Sequence, residues 1–137
     1  MKLLITTLTV AAFLTGCGGK QDAVLNAHNG IVAAEGIYST EVQTSSQNDD
    51  VGALIRANEV YLGVVRNYKG AKNLPADYIN AIQGLEDSLA KMVGFLEDAH
   101  IDCDNVDLDI LSTLDENRLD ATRNLNSVAK SHGLTMN

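Results

Sequence analysis

Apolar side chains between residues 78 and 99 recur at alternating steps of four and three: Tyr78, Ile82, Leu85, Leu89, Met92, Leu96 and Ala99. A mean step of 3.5 keeps one stripe of a helix facing a neighbour, as in a coiled-coil seam. Ile79 and Val93 flank the stripe, and Pro75 precedes it, where a first helical turn tolerates proline. A second pattern, Leu54, Ile55, Tyr61, Leu62, Val65 and Tyr68, predicts a helix over 51–69. Gly70 suits its C′ position and Lys69 the negative end of its dipole. Ala27, Ile31, Ala34, Tyr38 and Val42 predict a helix from Asp22, a capping residue, to about Gln47. Ile110, Leu111, Leu114, Ala121, Leu125 and Val128 predict the last, from Asn105 or Asp107 to about Ser131, closed by His132-Gly133.

These helices would be about 26, 19, 24 and 25 residues long, or roughly 28–39 Å at 1.5 Å per residue. Similar lengths joined by the short breaks 48–50, 70–75 and 100–104 predict an all-α fold. The expected architecture is an antiparallel up-down four-helix bundle occupying 22–137. The first helix carries Gly30, Gly36 and a Ser/Thr-rich stretch over 39–46, all weak helix formers. A three-helix bundle with a loose N-terminal segment is therefore the alternative.

The N-terminus follows a different rule. Lys2 supplies a positive charge, and Leu3 to Leu14 is an uncharged run of 12 residues. A membrane-spanning helix needs roughly 20, so the run reads as the apolar part of a secretory signal. It ends in Leu14-Thr15-Gly16-Cys17, which resembles the lipobox of bacterial lipoproteins. That resemblance covers residues 1–17 and leaves the mature domain unmatched to a family. It implies a signal peptide over 1–16, cleavage between Gly16 and Cys17, and a diacylglycerol on the Cys17 thiol. Acylation of the new N-terminus is implied as well, so the chains include palmitate-like acyl groups. Residues 17–21 become the lipidated cysteine and a short linker. Within the same family, an Asp after the cysteine favours the inner membrane; Gly18 stands here, so the outer membrane is expected in a Gram-negative host.

Composition narrows the partners. Of 137 residues, 45% are hydrophobic, which excludes wholesale disorder. The 18 acidic against 10 basic residues give a charge of −8, which argues against nucleic acid as a ligand. Removing residues 1–16 takes out Lys2 and makes the balance −9. No polybasic patch then helps hold an anionic surface, so attachment would rest on Cys17, where two or three acyl chains anchor stably and one does not.

Candidate chemistry is sparse. Glu97 and His100 have the Glu-x-x-His spacing of di-iron bundles, but such a centre needs two of these motifs and two further Glu residues. Glu35 could offer a carboxylate, yet no second motif exists. Glu97, His100, Asp102 and Asp104 remain weak metal candidates. EF-hand spacing fails from either Asp98 or Asp102, because Cys103 or Asp107 falls where glycine is required. Half of the acidic residues lie between Glu97 and Asp120, with Arg118 the one Lys or Arg among them. Cys103, flanked by Asp102 and Asp104, lacks the positive surroundings that activate a thiol. His28 and His132 read as structural. No catalytic or cofactor motif is present, so the expectation is a non-enzymatic envelope lipoprotein with no cofactor. Its helical domain would act through another envelope protein or self-association, facing the periplasm or the cell surface. The alternatives are a phage- or plasmid-type surface exclusion lipoprotein, or a small metal-binding envelope protein.

Overall fold

The computed structural model describes residues 20–101 and 107–134. Among them the chain is 88% helical, in four helices without strands. The helices are α1 (Lys20–Gln47), α2 (Val51–Lys69), α3 (Ala76–Ile101) and α4 (Leu108–Ser131). Each packs on the next in sequence, and α1 meets α4 less closely. This is the four-helix bundle expected from the pattern, and the three-helix alternative falls: α1 is continuous through Gly30, Gly36 and the Ser/Thr stretch. Thr40, Thr44 and Ser45 turn their hydroxyls back onto the carbonyls of Gly36, Thr40 and Glu41, which accommodates them within the helix. α1 also starts two residues before Asp22, so Asp22 is a first-turn acid and Lys20 and Gln21 belong to the helix rather than to a linker.

The turns explain the antiparallel path. Asp49 takes φ +52, while the Asp50 and Asp49 N–H groups donate to the Ser45 and Ser46 carbonyls and close α1 with a Schellman pattern. Asp50 then caps α2, its Oδ1 accepting from the Ala53 N–H at 2.8 Å. Gly70 is not left-handed, having φ −78; Asn73, at φ +67, makes the sharp turn before Pro75. Asp107 Oδ1 caps α4 by accepting from Asp109 and Ile110. Gly133, at φ +90, ends it, with Leu134 donating to Ala129 and packing on the core.

The core follows the seams. Tyr78, Ile82, Leu85, Leu89, Met92 and Leu96 are all buried, together with Val24, Ala27, Ile31, Ala34 and Tyr38 from α1. Gly30 lets α1 approach α2 closely: a Cβ there would lie 2.1 Å from the Tyr68 ring. On α4 the buried positions are Arg118, Thr122, Leu125 and Ala129. Ile110, expected on that face, is 47% exposed. Ion pairs of Arg66 and Lys69 with Glu86 tie α2 to α3. The Lys69 hydrogen bond, with Arg66 beside it, holds the Glu86 carboxyl below its usual range.

Candidate functional site

The interior of the bundle changes character along its axis. From Lys20 to about the middle of α1 the packing is apolar, with one polar pair: His28 Nδ1 lies 3.1 Å from the Tyr78 hydroxyl. Burial pushes the His28 pKa down, against a hydrogen bond to the Asn126 side chain that raises it. At the same end His132 Nε2 sits 2.9 Å from Asp77 Oδ1, joining the close of α4 to the start of α3. His28 is thus placed inside the bundle and His132 at the junction of two helices, the two histidines that read as structural from the sequence.

Further along lies a polar layer that the sequence pattern did not reveal. Arg118, 7% exposed, enters from α4. Its Nε and Nη2 each lie 3.1 Å from Asp115 Oδ1, and its Nη1 lies 3.6 Å from Glu35 Oε1. The guanidinium rests 4.9 Å from the centroid of the Tyr38 ring, which itself stacks on Tyr61 at 5.1 Å. A buried cation is tolerable when carboxylates and an aromatic face replace its water. Asn58, fully buried, donates through Nδ2 to the Leu54 carbonyl. Burial raises the Tyr38 pKa while the Arg118 charge opposes the rise; burial and the Glu35 charge raise that of Tyr61. Both phenols therefore stay protonated at neutral pH. Arg118 Nη1, Asn58 Oδ1 and the Tyr61 hydroxyl have no hydrogen-bond partner among the described residues. Such atoms cost free energy unless something else satisfies them.

Tyr38, Asn58 and Asp115 of this layer also line a cleft of about 290 Å³. Tyr38 and Val42 come from α1, Leu54 and Asn58 from α2, Met92 from α3, and Leu108, Leu111, Ser112 and Asp115 from α4. All four helices thus build it, at the end of the bundle remote from Lys20. Leu108, on its rim, is 71% exposed. The walls are mostly apolar, with Ser46, Asn58, Ser112 and Asp115 as the polar lining residues and neither lysine nor arginine among them.

Arg118 escaped the sequence reading because only apolar residues were used to trace the α4 face. Stepping back from Leu125 by three and then four reaches Thr122 and Arg118, the true seam; Ala121 and Leu114 lie one position off it. Of the metal candidates, Glu97 and His100 are exposed on the last turns of α3, and Asp102 and Asp104 lie outside the described residues. Among the described residues, no group of three or more His, Cys, Asp or Glu is arranged to hold a metal. Glu35, considered as a metal carboxylate, is engaged by Arg118 instead. Gly16, Cys17 and Cys103 lie outside the described residues, and no described helix is long and apolar enough to cross a membrane. Comparison with protein-family models, with curated proteins and with solved structures finds no match to the chain.

Proposed function

We propose that the chain is an exported lipoprotein, anchored to a membrane through Cys17, the outer membrane where the host is Gram-negative, whose bundle is a non-catalytic protein-interaction module. The observation that carries this reading is the Leu14-Thr15-Gly16-Cys17 tetrad behind a charged and then apolar leader. The direction of α1 supports it. Cys17 precedes Lys20, the first residue of α1, by three positions, a reach of at most about 10 Å. Tyr38, on the cleft, lies 18 residues along α1, about 27 Å from its start. A lipid at Cys17 would thus hold one end of the bundle at the bilayer, leaving the cleft end available to a partner.

Fractionation of cells expressing Cys17→Ser tests the anchor. The variant should lose acylation and leave the membrane fraction, while the unaltered chain stays with outer-membrane vesicles. Retention of the serine variant in the membrane, without acyl label on either protein, would overturn the reading.

A further inference from the structure

We infer that the outward face of α1 docks a second copy of this chain, with the two α1 helices parallel and both anchors in one membrane. The inference rests on the reading that Cys17 carries a lipid, and it names the protein contact left open there. Leu25, Asn29, Val32, Gly36, Ser39 and Gln43 are all exposed and step along α1 by four and three. At that spacing one helix presents a continuous stripe to another. Leu25 and Val32, 40% and 42% exposed, are two of the five exposed large apolar side chains among the described residues. Covering them removes apolar surface from water. Asn29 lies between them on the stripe, where an amide that meets its own counterpart fixes the register of two helices.

Charge selects the occupant. Without Lys2 the −8 of the whole chain becomes −9, so two copies repel except where they meet through an uncharged face. Over 23–40 the one Asp, Glu, Lys or Arg is Glu35, and Arg118 of the same chain already neutralises it. The exposed faces of the other helices carry Arg56 and Glu59, Asp87 and Lys91, or Asp120 and Arg123. The remaining exposed apolar residues sit among charges, Val60 beside Glu59, and Leu108 and Ile110 beside Asp109. A basic or acidic partner would find no counter-charge on the α1 stripe, whereas a copy of the stripe loses nothing by facing it.

The anchor sets the geometry. Cys17 lies three residues before Lys20, so both copies begin α1 at the same bilayer. A two-fold axis along the membrane normal then makes the helices parallel and places each stripe residue opposite its own counterpart. The stripe is about 27 Å long on a helix about 10 Å wide, a footprint of roughly 270 Å² per copy. A stable free pair buries about 800 Å² per partner, so association depends on anchoring, which confines the copies to a plane and raises their effective concentration.

The test is disulfide trapping in native membranes, using the full chain with Cys103→Ser and one new cysteine. Leu25→Cys and Ser39→Cys should each give a covalent dimer on mild oxidation, at least about fivefold above Val60→Cys on α2. Leu25 and Ser39 lie about 21 Å apart along α1, so an antiparallel pair would trap neither. Dimers at Val32→Cys alone would therefore overturn the parallel arrangement. Adding Val32→Glu, an exposed change, to Ser39→Cys should lower the yield at least about fivefold by setting like charges face to face. An unchanged yield, or equal trapping at Val60→Cys, would overturn the proposal. Detaching the chain with Cys17→Ser should lower trapping at Ser39→Cys as far, and full trapping without the anchor would overturn the dependence on it. Capture of a different protein at Ser39→Cys in place of a second copy would overturn self-association. The Cys103→Ser chain with no new cysteine should give no dimer. A dimer there would mean a free Cys17 thiol, and the anchor reading would fail together with the parallel arrangement. Silence in that control and at both Leu25→Cys and Ser39→Cys would overturn the dimer and leave the anchor standing.

Discussion

The two halves of the bundle use one backbone plan to different ends. Near Lys20, side chains such as Val24, Ile31, Val65, Ile82, Leu85 and Leu125 form a continuous apolar cluster. In the other half, the same seam positions carry Asn58 on α2 and Arg118 and Thr122 on α4, and the packing opens into a cleft. Close-packed apolar interiors account for most folding free energy and leave no space for a ligand. A polar layer contributes little net stability, because desolvating its charges offsets their attraction. The difference teaches that close apolar packing and buried charge are separated along one axis: the half beside the proposed anchor is packed almost wholly by apolar side chains, with His28 Nε2 as its one unpartnered buried polar atom among the described residues, and the far half carries Arg118 Nη1, Asn58 Oδ1 and the Tyr61 hydroxyl without partners.

The largest test of that division is Leu85→Ala, in the apolar half. Leu85 is fully buried, so its truncation should cost about 2–5 kcal/mol in urea unfolding. A loss below 1 kcal/mol would mean that the apolar half is not what holds the bundle. Arg118→Ala should cost less, about 1–3 kcal/mol. Fully buried pairs lose more when broken, but the Glu35 and Asp115 side chains are 24% and 48% exposed and water partly replaces the lost cation. The double variant Arg118→Met/Glu35→Gln should recover most of that loss, since it removes the stranded charge as well. A single-variant loss as large as that of Leu85→Ala, with no recovery in the double, would break the comparison.

The smallest effect concerns His28, the polar member of the apolar half. Its folded pKa lies below the unfolded value near 6.5, so the unfolded chain binds the extra proton and acid favours unfolding. Stability from this source is complete above pH 6.5 and declines as the pH falls through the lower folded value. Glu86 and Asp77, whose pKa values are depressed chiefly by hydrogen bonds from Lys69 and His132, add losses only once the pH falls into the carboxylate range and below it. Unfolding midpoints of the unaltered chain and His28→Gln, measured from pH 8 to 5, should converge as the pH falls. Parallel curves would refute the burial argument for this histidine.

How far the fold was legible depended on whether a seam was written in apolar residues. α3 was, and every one of its seam residues from Tyr78 to Leu96 is buried. α4 was not, because Arg118 and Thr122 occupy seam positions and hydropathy assigned the face one position away. The two termination signals at glycine also divided: Gly133 takes the left-handed turn, whereas at the end of α2 that role passes to Asn73. The cleft had no sequence signal, since its lining spans residues 38 to 115 and each residue taken singly reads as ordinary helix surface or core.

What the sequence determined by itself was local: four helical periods, the breaks between them, and the lipobox tetrad from which the anchor is inferred. Those depend on spacings of a few residues, which the chain carries before it folds. Only the tertiary structure decided that Glu35, Asn58, Asp115 and Arg118 meet in one polar layer, with Asn58 and Arg118 buried in it, and that the layer lies beside a cleft at the end of the bundle away from Lys20. Residues so far apart in sequence meet only when packing closes the helices on one another. In that low-dielectric interior, a charge too weakly coupled to matter in water becomes a strong constraint on its neighbours.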